Sequence, residues 1–222
     1  MFPLFFMKTV KNMTEQNERF SPQTIDVKVL GGDMKTPGSG LRWFLPILRK
    51  GFGARGKNGA SIRDFFCRDM GGEPDYLDQR IQTILLNGKP VDDVDSTRIH
   101  DGVVLAFSSA MPGVAGATLR KGGKYAPMRA AISCHDNDAQ VGGEYVYATL
   151  KLFNMVAEEL GAFFLEKGIF VTGSDIRDLF AGCVQDAASQ DMEIRWDGQK
   201  IGSTQLAKAR GMGSRILLKV AP

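Results

Sequence analysis

"DIRDLF" at residues 175–180 repeats "SIRDFF" at residues 61–66, with the same Ile-Arg-Asp core and the same closing phenylalanine. Ser61 stands where a helix N-cap is wanted, with Asp64 three positions on, and Ile62, Phe65 and Phe66 share one face at helical spacing. The second copy opens a longer amphipathic stripe of Ile176, Leu179, Phe180, Cys183, Val184 and Ala187, with Ser174 as its expected cap. Each copy therefore predicts a helix with one face to bury.

Downstream of each helix the pattern changes to period two. "IQTILLNGKPV" runs into an Asn87-Gly88 turn and "MEIRWDGQKI" into an Asp197-Gly198 turn; "GVVLAFSS" and "SRILLKV" supply closing strands. The equivalent positions Ile62/Ile176, Asn87/Asp197 and Gly102/Gly213 lie 114, 110 and 111 residues apart. A period of that size is a whole domain, since solenoid units run to about 20–50 residues.

Upstream of the first helix, Ile25, Val27 and Val29 alternate with Asp26 and Lys28 as a half-buried strand. "LRWFLPILR" reads as a second strand, with Pro46 confining it to an edge or bulge, and residues 51–60 as a mobile glycine-rich basic loop. In the second half "YVYATLKLF" (145–153) is the cleanest strand. "NMVAEELG" predicts a two-turn helix from Asn154 to a Gly161 C-cap, and "AFFLEKGIFV" a strand and turn. The expected fold is α+β, a tandem pair in which each half is a mixed sheet with one main covering helix. Residues 1–22 form a flexible N-terminal lead, 23–116 the first domain, 117–143 a linker or hairpin, and 144–222 the second domain.

A hydrophobic fraction of 43% with 24% charged residues supports a sizeable core. The net charge of +3 is too small to name nucleic acid or an anionic membrane as a partner from composition, so charge is read by segment. Three cysteines without a Cys-x-x-Cys pair suggest neither a disulfide framework nor a zinc ribbon and fit a cytoplasmic setting. The opening "MFPLFFM" is shorter than a signal-peptide core, Met7 and Met13 are alternative starts, and no stretch approaches the roughly 18–20 apolar residues of a membrane helix.

The order of strands around one helix resembles the β-grasp, or ubiquitin-like, superfamily. "LNGKPVDDVDSTRIHDGVVLAFSSAMPGVAG" is similar to the closing third of the small sulfur carriers, the small subunit of molybdopterin synthase and the thiamine-pathway carrier, through Asn87, Gly88, Thr97, Asp101, Gly102, Leu105 and Pro112. "LKLFNMVAEELG" resembles the first strand and helix of such a carrier. The resemblance implies two tandem β-grasp domains. It also makes Gly116, Gly122 and Gly123 candidate carrier-tail residues, reactive only if proteolysis after Gly116 or Gly123 exposes a terminal glycine carboxylate. Here those glycines are internal and the chain ends "KVAP". Uncleaved, they are turn glycines.

Residues 42–63 hold Arg42, Arg49, Lys50, Arg55, Lys57 and Arg63 with no acid, interleaved with Trp43, Phe44 and Phe52, a pattern that suits phosphates. Residues 73–101 carry seven acids against three bases, a neutralising counterpart. "GFGARG" is a literal G-x-G-x-x-G, but Ser61 lies five positions beyond Gly56, so no helix opens at the third glycine and no cofactor is expected. Cys134, His135, Asp136 and Asp138 are metal-ligating types; neighbours on an extended chain point to opposite sides, so no metal site is assigned to them. Cys67 and Cys183 fall on expected helix faces as small core residues. No catalytic triad, Walker loop or His-Glu-x-x-His motif is present. The expected role is non-catalytic binding or scaffolding of protein partners, with a cleaved carrier precursor and a nucleic-acid or polyanion binder as alternatives.

Overall fold

Ile25, Val27 and Val29 are all buried on one face of the first strand, β1 (Gln23–Val29). The computed structural model describes residues 22–30, 34, 40–110, 113–125, 143–185, 191–209, 212–213 and 215–222. After a 3₁₀ turn over Gly40–Trp43 comes a helix, α1 (Leu45–Lys50), then β2 (Phe52–Lys57). The expected strand over "LRWFLPILR" is thus a helix. Pro46 sits in its first turn, where the missing N–H costs no hydrogen bond, and Ile47 and Leu48 turn inward together. The expected loop over 51–60 is mostly strand, because Phe52, Ala54 and Gly56 alternate as its buried face.

A short helix, α2 (Ile62–Asp64), continues as a π-helical turn over Phe65–Asp69. The Ser61 hydroxyl accepts the Asp64 N–H at 3.0 Å, as expected of the cap. The hairpin β3 (Thr83–Leu86) and β4 (Lys89–Pro90) closes through Asn87 and Gly88, both at positive φ, before β5 (Val104–Ser108) and a helix α3 (Gly113–Leu119).

The second half runs β6 (Tyr145–Phe153), α4 (Met155–Lys167), β7 (Ile169–Val171), α5 (Gly173–Gln185), β8 (Met192–Trp196), β9 (Gln199–Ile201), α6 (Ser203–Lys208) and β10 (Ile216–Ala221). Gly161 does not end α4. It lies mid-helix under Leu41 and Leu48, whose methyls stand 2.8 Å from where its Cβ would be. "AFFLEK" accordingly completes the helix, since Ala162, Phe164 and Leu165 are buried at helical spacing.

The order strand, helix, strand, helix, then three strands therefore occurs twice. "LRKGF" (48–52) and "LEKGI" (165–169) mark the same corner in each repeat. Gly51 (φ 123) and Gly168 (φ 102) end α1 and α4, each donating its N–H to the carbonyl four residues back at 3.0 Å. At those angles a side chain is strained.

All ten described strands join one mixed sheet in the order β4-β3-β5-β6-β2-β7-β10-β1-β8-β9. Two pairs, β5–β6 and β1–β10, are parallel and the rest antiparallel. Pairing crosses the 23–116 and 144–222 division expected from the sequence: β1 pairs with β8 and β10, and β6 with β5 and β2. Helices α1 and α4 pack together on one side of the sheet, α1 against β6 and α4 against β10. Between them lies a continuous core that includes Phe52 and Phe164, with ring centroids 5.5 Å apart.

Because each half supplies a strand to the other, residues 1–123 and 140–222 produced separately are expected to show no cooperative thermal transition by circular dichroism, and to recover one on mixing. Gly168→Ala, forced into a glycine-only corner against Leu217 and Lys219, is expected to lose about 1–3 kcal/mol in denaturant unfolding.

Candidate functional site

One face of the sheet is core; the other is not buried by the described residues along six of its strands. Along β6, β2, β7, β10, β1 and β8 the residues on the second face are all partly or fully exposed. They include Tyr145, Tyr147, Thr149 and Lys151 on β6, Arg55 and Lys57 on β2, Phe170 on β7, Leu217 and Lys219 on β10, and Lys28 on β1. Arg215, just before β10, joins them. The acids on this face of these strands are Asp26 and Glu193, and Glu193 is held by Arg195 at 3.0 Å.

The centre of this face is built from flat groups in contact. The Arg55 guanidinium lies 4.0 Å over the Tyr145 ring, and Arg215 lies 4.0 Å over Tyr147. Tyr147 meets Phe170 edge-on, with centroids 5.3 Å apart and planes at 85°. Tyr147 and Phe170 stand on strands either side of β2. They touch because β2 presents glycine between them: Gly53 pairs with Thr149 on one side and Phe170 on the other, and a Cβ there would sit 3.0 Å from that of Phe170. Lys57 faces Tyr145 in the register, and Arg55, Lys57, Tyr145 and Asp69 line a depression of about 300 Å³.

The three glycines of "GFGARG" thus have packing reasons. Gly51 turns the corner from α1, Gly53 opens the aromatic bridge, and Gly56 lies under Phe65, whose ring would come within 2.3 Å of an added Cβ.

The structure disperses the six cations of residues 42–63. Arg55 and Lys57 alone reach the open face. Arg63 is taken by Asp78 and Asp95, at 3.0 and 2.6 Å, the acidic counterpart expected from residues 73–101. Arg49 is exposed on α1. Arg42 lies 4.4 Å over Trp43, and Lys50 donates to Asp175 at 2.6 Å, beside a cleft on the helix side of the sheet. Tyr145, Tyr147, Phe170, Arg215 and Lys219 were not singled out from the sequence as a site. Their signal is polar–aromatic alternation within strands, which becomes a surface only once four strands are laid side by side.

The glycines considered for a carrier tail are engaged in the fold. Gly116, expected in a turn, is instead buried within the helix α3. The Gly122 N–H donates to Asp92 at 3.1 Å and the Gly123 N–H to the Arg120 carbonyl at 3.1 Å, while Lys121 donates from its backbone to Gln82 and from its side chain to Leu77. The run Cys134, His135, Asp136 and Asp138 lies outside the described residues. Among the described residues no cluster of three or more His, Cys, Asp or Glu could hold a metal, and no helix is long and apolar enough to cross a membrane. His100 is buried, and neither ring nitrogen finds a hydrogen-bond partner among the described residues.

Asp175 anchors the helix that walls the cleft. Thr172, not Ser174, caps α5: its N–H and hydroxyl donate to Asp175 Oδ2 at 3.1 and 2.6 Å, and the Asp175 N–H donates back to Thr172 Oγ1 at 3.2 Å. Thr172 is one residue ahead of the helix, where its hydroxyl meets the N–H three residues on, the position a cap requires. Burial pushes the Asp175 carboxyl up, but the hydrogen bonds from Lys50 and Thr172 outweigh it and hold it below the ordinary aspartate range.

No protein-family model, curated protein or solved structure matches the chain.

A carboxyl whose folded value is depressed adds stability above its unfolded value, about 3.9, and loses it as pH falls through the folded value. Asp175→Ala is therefore expected to lower unfolding free energy at neutral pH by about 1–2 kcal/mol, the scale of a lost cap. The difference from wild type should shrink in chemical-denaturation series taken below about pH 4.

Proposed function

We propose that this chain is a non-catalytic binding module that takes single-stranded nucleic acid on the open face of its sheet. The observation that carries the reading is the pair of guanidinium–tyrosine stacks, Arg55 on Tyr145 and Arg215 on Tyr147, set two residues apart on β6 and extended by Phe170. Aromatic faces and guanidinium planes are the surfaces on which unpaired bases stack, each base contributing about 1–3 kcal/mol. Lys57, Lys151 and Lys219 surround these stacks and supply the phosphate contacts that a bound strand needs. An open face spread over several strands suits splayed bases rather than a duplex groove, which takes a helix or a narrow ribbon.

The parallel central pairs β5–β6 and β10–β1, each flanked by antiparallel strands, support a β-grasp relationship in which a strand is exchanged between the halves. A carrier role would need cleavage beside glycines engaged in α3 and its following turn. Binding on the sheet face needs no processing.

The test is fluorescence anisotropy with labelled oligo(U) and oligo(dT) of about 16 nucleotides, the upper site size of comparable single-strand platforms. Saturable binding is expected, with affinity falling steeply as salt rises. Joint charge reversal of Arg55 and Lys57 is expected to abolish it and to flatten the salt dependence. Tyr147→Ala is expected to weaken it about tenfold while leaving the salt slope nearly unchanged, since stacking rather than phosphate neutralisation is lost. Undiminished binding by the charge-reversed protein would overturn the reading, and loss only with the charges, never with Tyr147, would reduce it to a general polyanion surface.

A further inference from the structure

On the helix side of the sheet, α1 and α5 diverge around a cleft of about 700 Å³, within the usual range for small-ligand sites. Its walls are Trp43, Pro46 and Ile47 from the first repeat and Leu179, Gly182 and Cys183 from α5, so they are largely apolar. Lys50 and Asp175 neutralise each other at one end, where Asp178 lies 4.0 Å from Lys50. Arg42, its guanidinium carbon 4.4 Å from the centre of the Trp43 ring, also lines the cleft and makes no ion pair among the described residues. Its planar edge of N–H donors is the geometry that binds an oxyanion in bidentate fashion.

Gly182 is an independent sign that the space is retained. It lies in the interior of α5, where glycine is a poor helix residue. Yet a Cβ built on it would meet no atom within 4 Å outside its own helix neighbourhood. Packing does not exclude a side chain there, as it does at Gly161, where Leu41 and Leu48 crowd the position. What a side chain at 182 would enter is the cleft itself.

We infer that this cleft binds a small amphipathic ligand with a flat apolar body and one anionic group, the body against Trp43, Ile47 and Leu179 and the anion on Arg42. The site is separate from the open sheet face, and each stands without the other.

The probe is 8-anilinonaphthalene-1-sulfonate titrated into the full chain by fluorescence, with N-phenyl-1-naphthylamine as the same body lacking the sulfonate. One saturable site is expected, with the neutral probe about tenfold weaker, the scale of a lost hydrogen bond to a charged group. Arg42→Gln should bring the sulfonate down to the level of the neutral probe. Gly182→Phe should exclude both probes, whereas Gly182→Ala should retain both and melt no lower than wild type. The inference fails if Gly182→Phe, folded by its thermal melt, binds as tightly as wild type, or if the two probes bind wild type equally. Arg42 is exposed, so Arg42→Gln remains decisive even if Gly182→Phe does not fold: undiminished sulfonate binding by that variant also overturns the inference.

Discussion

The architecture depends on how closely β2 can approach β7. These strands meet through one register pair, Gly53 with Phe170, and join two five-strand groups into a ten-strand sheet. Glycine at 53 admits Phe170 to a distance at which an added Cβ would stand 3.0 Å from the Phe170 Cβ. The same missing side chain lets Tyr147 reach across β2 to Phe170. One small residue thus serves both the continuity of the sheet and that of its aromatic surface.

Strand exchange reinforces that junction. β1 begins the chain's described portion but lies between β8 and β10, and β6 lies between β5 and β2. Long-range pairing of this kind requires loop closure before its contacts form, which favours cooperative folding of the whole over independent folding of halves. The glycines ending α1 and α4 do the same work in both repeats, turning a helix sharply into the strand that meets its counterpart at the sheet centre.

The sheet then separates two chemistries. Its helix side buries the phenylalanine core and leaves a cleft between α1 and α5. Its open side gathers cations and rings from β6, β2, β7 and the start of β10. A modest net charge of +3 conceals this division, because acids are spent locally: Asp78 and Asp95 on Arg63, Asp175 on Lys50. Cations with such partners are not available to a ligand, so the basic run from 42 to 63 overstates one surface and misses the residues that complete another.

From sequence alone, strands with strict alternation were legible: Ile25/Val27/Val29, Val146/Ala148/Leu150/Leu152 and Ile216/Leu218/Val220 each form the buried face of a strand. So were the Asn87-Gly88 and Asp197-Gly198 turns and the Ser61 cap, because each is decided by neighbours within a few residues. The structure shows the same order of elements in both halves, and "LRKGF" and "LEKGI" mark it more sharply than the turns do. Local pattern failed at "LRWFLPILR" and "AFFLEKGIFV", where continuous apolar runs suit a helix buried among others as well as a strand. It failed again at Gly53, Gly161 and Thr172, whose roles come from Phe170, from Leu41 and Leu48, and from Asp175 held by Lys50 across 125 residues. Local periodicity determined the strictly alternating strands, their tight turns and the α+β class. Partners distant along the chain decided which strands pair, which cations are free of acids, and which rings share a face, since each depends on contacts that no short stretch contains.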